Sequence, residues 1–299
     1  MGMGSEATTA APGLTSPKLW LCYGRNQTKR AGYSIMKRWA PLLLLVILSV
    51  VTTANRAGSA NPTAMDGMRP RTGGQLYAQR QATLQAGQLY SLILSSAFVD
   101  QWQTAWQQPT YQQWQDLLTD EATLMAARQG NHPLTVLVGD SLYLWLAPES
   151  LSDERLWLNQ SISGETTANV VRRVAYFANV RPTMIYVMAG VNDLKNGVHP
   201  DVIVSNMELI VQRLKTQHPQ ARIVVLSILP TRLPTISQPV VRQVNQQMAI
   251  AVRQRGVEFI DIQAAFMDSQ GLLRIDLTTD GLHLSPQGYS LLTTYFIGN

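Results

Sequence analysis

Residues 134–142 read LTVLVGDSL, and this stretch decides the architecture of the chain. Leu134 to Val138 are all apolar or β-branched, and they run without a break into Gly139-Asp140-Ser141. A short continuous run of this kind, closed by turn residues, reads as a strand buried on both faces. The same rhythm returns downstream in RLWLN (155–159), TMIYVM (183–188), RIVVLSIL (222–229) and VEFIDI (257–262). Helical stretches fall between these runs near 166–179, 201–217 and 239–255, with a last one near 286–297. Buried strands alternating with helices predict an α/β domain over residues 131–299. It should have three layers, α/β/α, around a five-stranded, mostly parallel sheet. Functional groups in such folds gather beyond the carboxyl ends of the strands.

Upstream the composition changes. Residues 76–130 are rich in Gln, Ala, Leu and Trp, with Leu89, Leu92, Ile93, Phe98, Trp102 and Trp106 at helix-like spacing. Leu117, Leu118, Leu124 and Met125 continue the pattern after Pro109 interrupts it, so two or three helices are expected. They would pack on the main domain or on each other, or mediate oligomerisation. Residues 55–75 are rich in Gly, Pro, Ala and Ser without apolar periodicity and read as a linker. Residues 39–54, WAPLLLLVILSVVTTA, form an uncharged apolar run entered through Lys37-Arg38. The run is longer than the core of a typical signal peptide and shorter than a full membrane span. Read from Met36, it is a signal peptide with cleavage after Ala54 or Ala60. Read from Met1, it is a short signal-anchor behind a basic tail, residues 1–38. Either reading sends the rest of the chain across a membrane, to a periplasmic or secreted location, with a membrane contact through 39–54 if the segment is retained.

The formal net charge of +5 suggests an acidic partner until it is located. Ahead of Trp39 stand Lys18, Arg25, Lys29, Arg30, Lys37 and Arg38 against Glu6 alone, so the entire excess lies in the tail. The folded part is neutral, which argues against a nucleic-acid-binding surface. Cys22 is the single cysteine and precedes the apolar run. The downstream chain therefore has no disulfide, no cysteine nucleophile and no thiolate metal ligand.

Four groups of residues carry chemistry. Ser141 follows the first strand at the expected start of a helix, where its hydroxyl should be exposed and its backbone N–H free. Gly-Asp-Ser by itself is also an ordinary turn, and no Gly-x-Ser-x-Gly elbow occurs in the chain. Past the second strand lies SISGETT (161–167). Gly164 there is either a plain turn glycine or a point where backbone N–H approaches a substrate oxygen. The third strand ends in AGVND (189–193). The Asn192 amide can donate to an oxyanion, and Asp193 can cap the following helix. Near the C-terminus, Asp280-Gly281-Leu282-His283 places an acid three residues before a histidine. Folded back, Asp280 would hold one ring nitrogen and leave the other to take a proton from a serine. His132, His199 and His218 have no such neighbour and read as surface residues.

Taken together in chain order, the blocks GDSL, SISGET, GVND and DGLH resemble the SGNH hydrolase superfamily, the GDSL-like esterases and lipases. The likeness covers roughly residues 134–297. LSILPTR, QHPQARIVVL and VNQQM followed by GVEFIDI resemble its acetylhydrolase-like branch. One departure is Gly164-Glu165-Thr166 where the family often has Gly-Asp-Thr, a change expected to alter local hydrogen bonding more than chemistry. The resemblance implies an SGNH (flavodoxin-like) sheet and a serine esterase acting through an acyl-serine intermediate. Ser141, His283 and Asp280 would be its catalytic residues. The N–H groups of Ser141 and Gly164 and the Asn192 side chain would form the oxyanion hole, with Asp140 and Asp193 in support. No cofactor or metal is called for. Short acyl or O-acetyl esters of carbohydrate, then lipid esters, are the expected substrates. An O-acyltransferase acting on envelope carbohydrate would use the same residues, and a membrane-tethered binding module is the non-catalytic alternative.

Overall fold

The first described helix begins where a linker was expected. The structure, a computed structural model, describes residues 69–296. The basic tail 1–38, the apolar run 39–54 and linker residues 55–68 lie outside the described residues. Thr72 caps helix α1 (Gly73–Gln85), its Oγ1 accepting from the Gln75 N–H at 3.2 Å. Residues 73–75 are thus the first turn of a helix and not the end of a linker. Gly74 belongs there because a Cβ would stand 2.5 Å from the Gln107 carbonyl oxygen.

The spacing of Leu89 to Trp106 does not produce the expected helix. This stretch holds one 3-10 turn, Tyr90–Leu92, and a four-residue helix α2 (Val99–Trp102) in otherwise irregular chain. Tertiary polar contacts claim its backbone. Gln79 Nε2 donates to the carbonyls of Ser95 (2.7 Å) and Ala97 (3.0 Å), and Trp102 Nε1 donates to Ala97 as well. Phe98 adopts a left-handed φ of 58° that no helix interior tolerates. After Pro109, helix α3 (Tyr111–Arg128) starts on a Thr110–Gln113 capping box.

The domain beyond is a sheet of β1 (Leu134–Gly139), β2 (Leu156–Ser161), β3 (Met184–Met188), β4 (Arg222–Leu226) and β5 (Glu258–Ile260). Their order is β2-β1-β3-β4-β5, and every pairing is parallel. Strand β2 ends two residues later than the sequence suggested, because its register with β1 continues to Gly139 opposite Ser161. The intervening helices are α4 (Ser141–Leu144), α5 (Thr167–Arg173), α6 (Val191–Lys195), α7 (Pro200–Gln217), α8 (Gln238–Gln254), α9 (Gln263–Phe266) and α10 (Pro286–Thr293). Helix α5 is shorter than expected, since its last turn tightens into a 3-10 turn at Val174–Phe177.

Alternation along the strands builds two apolar layers. Val136, Val138, Ile185, Val187, Ile223 and Val225 face Ile210, Leu214, Val244 and Met248 of α7 and α8. Leu137, Tyr186, Met188, Val224 and Leu226 face Phe266, Leu292 and Phe296 on the other side. The result is the three-layer α/β/α arrangement expected. A third cluster joins Leu76, Trp114, Leu117 and Leu118 of the N-terminal helices to Leu144 and Ile162. Those helices flank edge strand β2 through two buried polar anchors. Gln160 Nε2 donates to the Leu118 carbonyl at 2.9 Å, and Arg80, paired with Glu121, donates to the Asn159 carbonyl at 2.9 Å. Packing helices over an edge strand in this way is one means of shielding it from pairing with another chain. Among the described residues no helix is long and apolar enough to cross a membrane.

Candidate active site

The strand order reverses between β1 and β3, and in open α/β sheets the crevice at such a point is where ligands bind. Gly139 closes β1. A Cβ there would lie 2.4 Å from the Met188 carbonyl oxygen, so only glycine lets β1 end this close to β3. Asp140 then turns the chain, its Oδ1 accepting from the Leu142 N–H at 3.0 Å, and delivers Ser141 to the first position of α4.

His283 comes from the far end of the chain and meets this serine, its Nε2 lying 3.0 Å from Ser141 Oγ. Its Nδ1 is 2.7 Å from Asp280 Oδ2. The second Asp280 oxygen accepts the backbone N–H groups of Leu282 (2.9 Å) and His283 (2.7 Å), so the acid and the ring share one tight turn. Strand β4's extension secures that turn, because the Arg232 N–H donates to the Gly281 carbonyl at 2.7 Å. Partial burial opposes ionisation of Asp280. The hydrogen bonds from the His283 side chain and from the His283 and Leu282 backbone outweigh it and hold the carboxyl below its usual pKa. Asp280 therefore stays charged and keeps the proton of the ring on Nδ1, which leaves Nε2 as acceptor for the serine hydroxyl. Contrary to expectation, the serine is not exposed. Only 5 % of its surface is open, because the imidazole lies over it.

Gly164 sits opposite with φ 79°, a left-handed conformation suited to glycine, and a Cβ there would meet nothing within 4 Å. The glycine is exposed, and the space on its side-chain side is open. Asn192, in α6, points its Nδ2 at the Glu165 carbonyl (3.0 Å) and at Asp140 Oδ2 (3.3 Å). The second contact is long, and a substrate oxygen can replace it. Asp193 does not cap the helix that follows it, as the sequence suggested. It lies inside α6, buried, and its two oxygens accept from the N–H (2.7 Å) and hydroxyl (2.6 Å) of Thr167. The predicted residues thus converge on one crevice, with Asp140 beneath Asn192 and Asp193 fastening the end of the Gly164 loop.

Asp140 is almost fully buried, and burial, reinforced by the Glu165 and Asp193 carboxylates, lifts its pKa to about 7. A folded carboxyl raised above its unfolded value binds a proton between about pH 4 and 7, where the unfolded chain does not. Its contribution to stability is therefore complete at acidic pH and is lost as pH rises towards 7. Asp140→Asn keeps the shape and removes the charge. Thermal melts should show the stability of this variant relative to wild type growing from pH 4 to 7, by on the order of a few kcal/mol, then levelling. An offset that does not change with pH would show that Asp140 ionises normally.

Several residues that shape this site escaped the sequence reading. Arg173, wholly buried, pairs with Glu165 and donates to the carbonyls of Gly139 (2.9 Å) and Gln160 (2.6 Å), tying the ends of β1 and β2 together. Tyr111 Oη donates to Glu165 Oε1 at 2.9 Å. In sequence Arg173 is one of two adjacent arginines on a helix, and nothing local separates the buried one from its exposed neighbour. His218 was expected at the surface. It is buried and stacks on Phe177 with ring centroids 5.3 Å apart, and burial lowers its pKa. Among the described residues there is no group of three or more His, Cys, Asp or Glu side chains able to hold a metal ion.

A cleft of about 530 Å³ opens on the outer side of His283. Thr279, His283, Leu284 and Tyr289 form one wall, and Leu144 to Ala147 with Arg69 to Arg71 form the other.

Comparison with known proteins agrees with this geometry. Residues 134–291 match the family model for the GDSL-like lipase/acylhydrolase family. Over 171 residues the chain is 29% identical to the platelet-activating factor acetylhydrolase IB subunit alpha2 of Homo sapiens, covering 53% of this chain and 72% of that protein. The human alpha1 subunit is 29% identical over 180 residues, 56% of this chain and 74% of the relative. Among solved structures, a GDSL-like lipase from Bacteroides thetaiotaomicron superposes with a TM-score of 0.50 at 17% identity, covering 61% of this chain and 96% of that one. A Streptococcus pneumonia protein, described provisionally as a platelet activating factor, reaches 0.55 at 24% identity, covering 61% and 91%. At these identities the structural matches speak for the fold alone.

Proposed function

The chain belongs to the GDSL-like lipase/acylhydrolase family and is a hydrolase acting on ester bonds, and we propose that it removes short acyl groups from a bulky alcohol through an acyl-Ser141 intermediate. The hydrogen-bonded series Asp280–His283–Ser141, facing the open Gly164 loop, carries this reading. Ser141 Oγ attacks the ester carbonyl as His283 Nε2 takes its proton, and Asp280 stabilises the imidazolium. The N–H groups of Ser141 and Gly164 and the second amide hydrogen of Asn192 hold the oxyanion. His283 then gives the proton to the departing alcohol, and water repeats the cycle on the acyl-serine.

Because the imidazole protonates the leaving oxygen, the alcohol departs on the His283 side, where the 530 Å³ cleft lies. That space accommodates a group far larger than a small acyl chain, with Trp145 and Tyr289 available to pack against a sugar or similar ring. Relatives named for acetyl removal support the short acyl group. The basic tail 1–38 and the apolar run 39–54 support an extracytoplasmic location, where O-acetylated carbohydrate is the substrate class we favour.

The test is a series of p-nitrophenyl acetate, butyrate and octanoate, beside acetate esters of methanol and of a disaccharide. Acetate should turn over fastest along the acyl series. The disaccharide ester should have the lower KM, and Ala147→Trp, which narrows the cleft, should raise that KM about tenfold while sparing methyl acetate. Preference for octanoate would replace this reading with a lipase.

A further inference from the structure

Three anchors hold the backbone that presents Gly164. Asn192 Nδ2 binds the Glu165 carbonyl, and the Asp193 carboxylate holds Thr167. The third is the Glu165 side chain, which is buried and fully engaged. Its carboxylate receives Arg173 Nε at 2.7 and 2.6 Å on its two oxygens, and the Tyr111 hydroxyl at 2.9 Å. Asn192, Asp193, Glu165 and Arg173 all lie in the domain that matches the family. Tyr111 does not; it lies upstream of residues 134–291, on the first turn of α3.

The placement of this hydroxyl is well determined. The capping box sets the start of α3, with Gln113 N–H on Thr110 Oγ1 (3.2 Å) and Thr110 N–H on Gln113 Oε1 (2.7 Å). The fully buried Leu118, whose carbonyl receives Gln160, ties the same helix to strand β2. A helix tied at both points carries the tyrosine to the carboxylate without relying on a flexible loop. The Glu165 side chain carries its carboxylate to Tyr111 Oη.

We infer that Tyr111 is a positioning residue for the oxyanion hole, through which the N-terminal helical segment sets the Gly164 N–H by holding the Glu165 carboxylate. This rests on the esterase reading above, in which Gly164 faces the developing oxyanion. Without the phenol, Glu165 keeps Arg173 but loses a charge-assisted hydrogen bond on its outer oxygen. The loop from Ser161 to Thr167 then relaxes. A misplaced donor lowers the rate of the chemical step while leaving ground-state binding nearly intact.

The experiment compares wild type, Tyr111→Phe and a neighbouring surface control, Gln112→Ala, in the full chain. Steady-state hydrolysis of p-nitrophenyl acetate gives kcat and KM, and hydrogen exchange read by mass spectrometry follows residues 161–167. Tyr111→Phe should lower kcat about tenfold with KM within about twofold. Exchange should quicken over 161–167 and stay unchanged over the strands, and Gln112→Ala should match wild type in both readouts. Unchanged exchange over 161–167, or faster exchange with kcat intact, overturns the inference. Exchange that quickens throughout the domain also overturns it, since that marks general destabilisation. A folded wild type without Ser141-dependent turnover defeats the esterase reading instead, and the exchange measurement still decides whether Tyr111 braces the loop.

Discussion

Ser141→Ala is expected to reduce kcat/KM for p-nitrophenyl acetate on the order of 10⁴- to 10⁶-fold while leaving the melting temperature almost unchanged. The first part follows from the geometry of the hydroxyl. Among the described residues its one side-chain partner is His283 Nε2 at 3.0 Å, and His283 in turn is held by a charged Asp280. No second hydroxyl or thiol is part of this hydrogen-bonded series, and Cys22 lies outside the described residues. The second part follows because the lost oxygen anchors no structural element, the turn at α4 being fixed by Asp140 and Leu142. His283→Ala should fall as far as Ser141→Ala, and the double variant no further, because the groups act as one unit. Rates measured in parallel with circular dichroism would check both parts. Full turnover in folded Ser141→Ala would show that another residue attacks the ester.

Arg173→Met should cost about 3–5 kcal/mol of folding stability, a loss few single substitutions reach. The guanidinium is completely buried and meets only acceptors: the Glu165 carboxylate and the carbonyls of Gly139 and Gln160. Removing it leaves a buried carboxylate with Tyr111 as its remaining side-chain partner and orphans two carbonyl groups. In a domain of this size the melting temperature should fall by roughly 10 °C. Urea unfolding would measure the difference directly. The unpaired charge left on Glu165 accounts for much of that loss. Pairing the change with Glu165→Gln should recover part of it for the same reason. A single-variant loss below about 1 kcal/mol would mean that water reaches and solvates the carboxylate.

Glu165 stands in the Gly164-Glu165-Thr166 departure from the usual family pattern, which was expected to alter local hydrogen bonding, and its hydrogen bonds reach beyond the loop. Its partner Arg173 ties it to the ends of β1 and β2, and its partner Tyr111 ties it to α3. The stretch from Leu89 to Trp106 failed for a related reason. Apolar spacing assumes that backbone groups bond within their own helix, whereas here Gln79 and Trp102 draw the carbonyls of Ser95 and Ala97 into tertiary contacts. The deeply buried Trp102 and the largely exposed Trp106 look alike in sequence.

By itself the sequence determined the five strands, their alternation with helices and the four blocks of polar residues. These depend on short-range physics: β-branched apolar runs need two covered faces, and turn residues mark where strands stop. It also supplied Asp280 and His283 as a pair, because three residues of chain can bring a carboxylate onto a ring nitrogen. Only the tertiary structure decided that His283 reaches across 142 positions to Ser141, that Asp193 holds the start of α5 and not of the helix after it, and that Arg173 and Tyr111 converge on Glu165. Those contacts join residues remote in sequence, and their partners are selected by burial, which leaves a polar atom no water and so obliges it to find another atom of the chain.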